Sequence, residues 1–207
     1  GTWGHALEIG AGTGYFSLNL MAAGHIAELT ATDIAPGMLE ALRANADSLD
    51  LDVDTVVTDA ENLPFPDESF DLVLGHAVLH HIPNLNAAAA EFFRVLKPGG
   101  TLVFCGEPSA NGDRIAALPK RAAVAMAPLW RRAVGAGARD DHGGSDPDYG
   151  HAMEAEVDVH AFDPGAIRDL LGDAGFADVH IRGEELLANL YGWMLRTVES
   201  TADPDEV

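Results

Sequence analysis

Cysteine is nearly missing from this chain: Cys105 stands alone among 207 residues. One thiol excludes an internal disulfide and any cysteine-rich zinc site, and it fits a reducing, cytoplasmic compartment. Positive charge is scarce too. Lys and Arg number 12 against 33 Asp and Glu, for a formal net charge of −21 and a pI near 4.5. Such a surface repels a phosphate backbone, so nucleic acid is excluded as a partner, and the charge reads as a solvated acidic face. No apolar run approaches the roughly 20 residues of a membrane span. No basic segment followed by an apolar core opens the chain, as a signal peptide would. What is present is 47% apolar residues. That suffices for a real core in a chain the length of one ordinary domain, residues 1–207.

Glycine is plentiful, and its placement organises everything else. The short apolar run His5-Ala6-Leu7-Glu8-Ile9 ends in Gly10-Ala11-Gly12-Thr13-Gly14 and then enters a helix-like segment, residues 15–23. Glycine reaches backbone angles closed to other residues and lets the main chain approach a ligand without a Cβ in the way. The helix that follows directs its N–H groups at the same crevice. Further apolar runs at 28–33, 53–58, 70–75 and 101–105 read as strands. Segments 36–49 and 86–96 read as helices, the first opened by Pro36, the second stopped by Lys97-Pro98-Gly99-Gly100. This alternation predicts a parallel sheet covered by helices on both faces.

The regularity changes after Glu107. Residues 113–137 read as one or two helices broken at Pro119 and Pro128, and 139–160 as a Gly-, Asp- and His-rich loop. The segment 108–160 therefore reads as an insertion after the fifth strand, placed where a substrate lid would sit. Asp163-Pro164 opens another helix ending at Gly175, residues 177–182 read as a sixth strand, and 184–199 as a final helix.

The glycine spacing separates two ligand classes. A dinucleotide fingerprint is G-x-G-x-x-G, with an acid about 20 residues on. Here Gly10, Gly12 and Gly14 alternate, and Glu8 precedes them. The pattern Glu8-x-Gly10-x-Gly12-x-Gly14, with Asp33, Asp59-Ala60-Glu61, Phe70-Asp71-Leu72-Val73 and Arg94-Val95-Leu96-Lys97-Pro98-Gly99-Gly100 in order, resembles the class I S-adenosylmethionine-dependent methyltransferases of the small-molecule type, closely over residues 5–107. The resemblance implies a Rossmann-like, doubly wound, mostly parallel α/β sheet with an insertion after strand five. It also implies S-adenosyl-L-methionine as cofactor, S-adenosyl-L-homocysteine as product and a small-molecule acceptor. Helices before the first strand and a last antiparallel strand belong to that family's pattern, so the chain reads as a domain excised from a longer one at both ends.

The implied site residues follow motif by motif. Gly10, Ala11, Gly12 and Gly14 face the methionine part of the cofactor. Asp33 accepts from the ribose hydroxyls, Ile34 and Met38 flank the adenosine, and Asp59, Ala60 and Glu61 hold the adenine. Backbone carbonyls at Gly75 and His76 take the ammonium group. Glu8 either contacts that amine or bonds the loop's own amides. A base is needed only for a protonated acceptor. His76, His80 and His81 are the candidate bases, with Glu107 placed to orient the acceptor. No resident metal is expected, although Asp140, Asp141, His142 and His151 form a competing cation reading. Two other functions stay open: a nicotinamide-dependent oxidoreductase on a related fold, and a non-catalytic S-adenosylmethionine-binding module. The oligomeric state is left unset.

Overall fold

The computed structural model describes residues 1–108 and 162–183, together with Met126, Leu129 and Arg132. The chain divides into two compact units, Gly1–Pro108 with Val157–His180, and Ser109–Glu156 with Ile181–Val207. The first carries every element below. In the second, Met126, Leu129 and Arg132 are helical. The rest of the expected 113–137 helices, the 139–160 loop and the 184–199 helix lie outside the described residues.

Five strands, β1 (Trp3–Ile9), β2 (Ile26–Asp33), β3 (Asp54–Val57), β4 (Phe70–His76) and β5 (Leu96–Cys105), form one sheet in the order β3-β2-β1-β4-β5. Every pairing is parallel. The central strands β1, β2 and β4 are buried over most of their length, with residues alternating between two cores, while the edge strands β3 and β5 are largely half-buried or exposed. On one side Leu7, Ile9 and Val73 pack with Phe92 and Val95 of α3 (Leu85–Val95). On the other Ala6, Leu72 and Leu74 pack with Leu18 of α1 (Tyr15–Ala22) and Ala46 of α2 (Pro36–Ser48). Leu39 and Leu42 of α2 are fully buried against Ala11 and Ala31. Each such leucine stabilises the fold by about 1.5–3 kcal/mol. The expected doubly wound α/β architecture is therefore present.

Local signals set the helix ends. Pro36 stands in the first turn of α2. Asn84 caps α3, its side chain accepting from the Ala87 N–H. Asp163 caps α4 (Pro164–Asp173), accepting from the Gly165 and Ala166 N–H groups. Two readings differ from the structure. The expected turn at 97–100 is absorbed into β5: Phe70 pairs with Leu96 and Leu72 with Thr101, and the surplus residues bulge between them. The expected sixth strand at 177–182 is absent, because Asp178 takes φ +54° and breaks the extended run. The Phe162 N–H donates to the Pro108 carbonyl (3.0 Å), which joins the described segments 1–108 and 162–183 at their facing ends. Among the described residues no helix is long and apolar enough to cross a membrane.

Candidate active site

Parallel register brings the strand ends to one level. Ile9 lies between Thr32 and Gly75, Asp33 opposite Val57, and His76 opposite Cys105. The glycine loop, Asp33, Asp59, Gly75, His76 and Glu107 therefore share the carboxyl edge. The strand order switches direction between β1 and β4, and in open α/β sheets ligands bind at the carboxyl end of such a switch point. A separate depression of about 310 Å³ lies at the opposite edge, lined by Thr2, Trp3, Asp71 and Lys97. Its polar side chains already have partners: Lys97 donates to Asp71 at 2.9 Å, Asp71 also accepts from the His5 N–H, and Thr2 donates to the Gly24 carbonyl.

The loop's three glycines all have positive φ. At Gly10 the need is twofold: φ is +61°, and a Cβ there would lie 2.3 Å from the Val78 side chain. At Gly12 a Cβ would meet nothing within 4 Å, so the loop backbone faces open space at that point. Two bonds pin the loop from outside. Asn45 on α2 donates to the Thr13 carbonyl at 2.9 Å, and the Gly12 N–H donates to Asp33 at 2.9 Å. The other oxygen of Asp33 accepts from the Ala35 N–H at 2.8 Å. Asp59 repeats the motif at the end of β3, accepting from the Glu61 N–H at 2.8 Å. Each acid is thus locked by the amide two residues on. Each oxygen of Asp33 keeps a second lone pair for a ligand. Ile34 and Met38 are exposed apolar side chains beside Asp33, 74% and 46% accessible. Ala60 packs against the core, and the Glu61 carboxylate accepts from the Asn84 N–H at the start of α3.

Glu8 is 1% exposed, and its carboxyl takes the hydroxyl of Ser17 on α1 rather than the loop amides. Burial raises its pKa from 4.5 to about 7, against the lowering effect of the Ser17 bonds, with a further rise from the charge of Asp33. A carboxyl that holds its proton more tightly when folded stabilises the fold below its unfolded pKa, and that stability is lost as pH rises to the folded value. The window is pH 4.5 to about 7. Glu8→Gln should therefore match the native chain in stability near pH 4 and exceed it above pH 7 by up to about 3 kcal/mol. Thermal melts of both chains across that range test this; a constant difference would contradict it.

The turn after β4 is built around Glu107. One oxygen accepts from the Val78 and Leu79 N–H groups (2.9 Å each), the other from the His80 N–H (3.2 Å) and His80 Nδ1 (2.8 Å). Both groups are mostly buried, 12% and 13% accessible. Ala77 enters the turn with φ +52°. The His81 ring lies 3.9 Å from that of His80. His76 is exposed and tilted against Phe16 at 5.5 Å. A Cβ on Gly75 would clash with Phe104 at 2.5 Å and Val78 at 2.8 Å, so this glycine is set by side-chain packing. The structure thus joins His80 to Glu107 and leaves His76 on the rim. Asp140, Asp141, His142 and His151 lie outside the described residues. Ser17, Asn45 and Asn84 hold site residues in place and carried no signal in the sequence, because their partners are distant along the chain; Arg94 stood in a motif that gave no sign of its partners at Leu63, Phe65 and Asp67.

Residues 7–104 match the family described as "Methyltransferase domain". The chain is 47% identical over 98 residues to malonyl-[acyl-carrier protein] O-methyltransferase of Methylococcus capsulatus, covering 47% of this chain and 35% of that protein. It is 37% identical over 128 residues to demethylmenaquinone methyltransferase of a Mycobacterium species, covering 62% and 52%. The chain thus spans between about a third and a half of these relatives' lengths. In fold it resembles Haemonchus contortus phosphoethanolamine N-methyltransferase 2, solved with phosphomonomethylethanolamine and S-adenosylhomocysteine, at TM-score 0.65 and 17% identity over 95% of this chain and 38% of that one. With the glycine loop, the strand-end acids and the sheet order already in place, these matches show that residues 7–104 form a methyltransferase domain of the class I S-adenosylmethionine-dependent type.

Proposed function

We propose that this chain binds S-adenosylmethionine across the carboxyl edge of the sheet and transfers its methyl group to a small-molecule acceptor in the cytoplasm. The observation that carries the reading is the Asp33 carboxylate, fixed by the Gly12 and Ala35 N–H groups beside a loop whose backbone is open at Gly12. Asp33 then grips the ribose diol, Ile34 and Met38 cover the adenosine, and Asp59 with the Ala60 N–H takes the adenine edge. The Gly75 and His76 carbonyls face the ammonium group, and Glu8 lies buried beneath the loop, bonded to Ser17. When bound, the sulfonium supplies a methyl group on a good leaving group. The chain's share is to hold the acceptor in line, and orientation alone supplies several kcal/mol. For a protonated acceptor, His76 and His80 are the groups we assign to take the proton, His80 being oriented by Glu107. The acidic surface disfavours a nucleic-acid acceptor. The two relatives are named for different acceptors, so relationship supports the donor and the reaction class.

Thermal shift tests the donor first. S-adenosylhomocysteine at 100 times its Kd should raise stability by about 2.7 kcal/mol, a rise of roughly 5–10 °C in Tm, while NADH should leave Tm unchanged. The opposite pattern would favour the oxidoreductase reading. Transfer of labelled methyl to a panel of hydroxyl, amine, carboxyl and carbon-acid acceptors then separates an enzyme from a binding module.

A further inference from the structure

The segment that carries Asp59 has few apolar anchors of its own. Between β3 and β4 only Leu63 is fully buried, and Pro64, Pro66, Asp67 and Glu68 are exposed. Such a stretch needs outside partners to keep one conformation. Nearly all of them come from one residue on α3. The Arg94 guanidinium donates to the Leu63 carbonyl (3.0 Å), the Phe65 carbonyl (2.8 Å) and the Asp67 carboxylate (2.8 Å). Its remaining donors form a two-pronged pair with Glu91 at 2.8 and 2.7 Å. Glu91 completes the clamp by accepting from the Leu63 N–H at 2.8 Å. The bond to Arg94 lowers the Glu91 pKa, so the pair stays charged. Beyond it, the Glu68 and Ser69 N–H groups donate to the Arg94 and Val95 carbonyls.

At its other end the same segment is tied to α3 once more, by Glu61 accepting from the Asn84 N–H. The Glu61 N–H in turn donates to Asp59. The Asp59 carboxylate is thus oriented through a backbone bracket whose far end is the Arg94 fork. A lysine cannot reproduce it, because a point charge lacks the planar fork that reaches two carbonyls and a carboxylate together.

We propose that Arg94 is a positioning residue for the adenine end of the cofactor site: it sets the selectivity for the adenine amino group without touching the ligand. This rests on the reading of Asp59 under Proposed function. The test is calorimetric binding of S-adenosylhomocysteine and of its inosine counterpart, in which a carbonyl replaces that amino group. It uses the native chain, Arg94→Ala, Arg94→Lys and, should the first fold poorly, Glu91→Gln. Asp71→Asn, at the opposite edge of the sheet, controls for general destabilisation.

The native chain should prefer the adenine form by about tenfold or more, the value of one hydrogen bond to a charged acceptor. In Arg94→Ala that ratio should fall to between one and three, with affinity for the inosine form unchanged. Arg94→Lys should recover part of the ratio, and Glu91→Gln should lower it by about threefold. Asp71→Asn should lower Tm and leave the ratio intact. A ratio unchanged in Arg94→Ala or Glu91→Gln, with Tm lowered, overturns the proposal and leaves the arginine a general stabiliser. If the native chain binds neither ligand, the reading of the site fails first and the proposal falls with it.

Discussion

Replacing Asp33 with Ala should weaken S-adenosylhomocysteine binding by about 100-fold, because two hydrogen bonds to a charged acceptor, each about 1.5–3 kcal/mol, leave with the carboxylate. The same carboxylate accepts from the Gly12 and Ala35 N–H groups, so the substitution also releases the glycine loop. Asp33→Asn separates the two effects. An amide keeps one acceptor oxygen and turns a donor toward the other amide, so its affinity should fall between those of the native chain and Asp33→Ala. Calorimetric titration of the three chains measures this. Unchanged affinity in a folded Asp33→Ala chain would remove the ribose from this strand end and with it the assigned orientation of the cofactor.

The second large effect is expected at Glu107. Its two oxygens take three backbone N–H groups and the His80 ring. In Glu107→Ala those donors lose their acceptor in a mostly buried turn, and each such loss costs about 1–3 kcal/mol. A total of roughly 3 kcal/mol or more corresponds to a fall of about 6–12 °C in Tm for a chain of this size. Turnover should fall by more than cofactor affinity does, because the altered turn carries His80 whereas the ribose and adenine acids stand on other strands. Glu107→Gln retains one oxygen and should lie between. A Glu107→Ala chain with native Tm would show that water or another group serves the turn as well.

How much of this was legible in the sequence depends on the distance over which each feature is decided. Asp33 and Asp59 could be picked out because each ends an apolar run and locks itself to the amide two residues on, a bond that is local in sequence. Pro36 and Asp163 open helices through equally local features, a preset φ and a side-chain cap. Glu107 was legible as a position at the end of β5 but not as a partner of the turn at Val78, which lies across β4. Glu8 was legible as an acid before the glycines, yet its bond to Ser17 depends on how α1 folds back over β1. Arg94 stood inside a motif read only as a helix end.

The sequence by itself determined most of the elements of residues 1–107 and their character: alternating apolar runs and helical segments, a glycine loop with positive φ at each glycine, and acids at strand ends. These depend on backbone freedom, period and neighbours a few residues away. Only the tertiary structure decided that β1 lies between β2 and β4, which levels five strand ends into one edge. It alone decided which carboxylates stand at the strand ends and which, like Glu8 and Glu107, take partners from distant parts of the fold. The physical reason is the same in each case: a hydrogen bond between distant residues forms only once packing has set the register that brings donor and acceptor within about 3 Å.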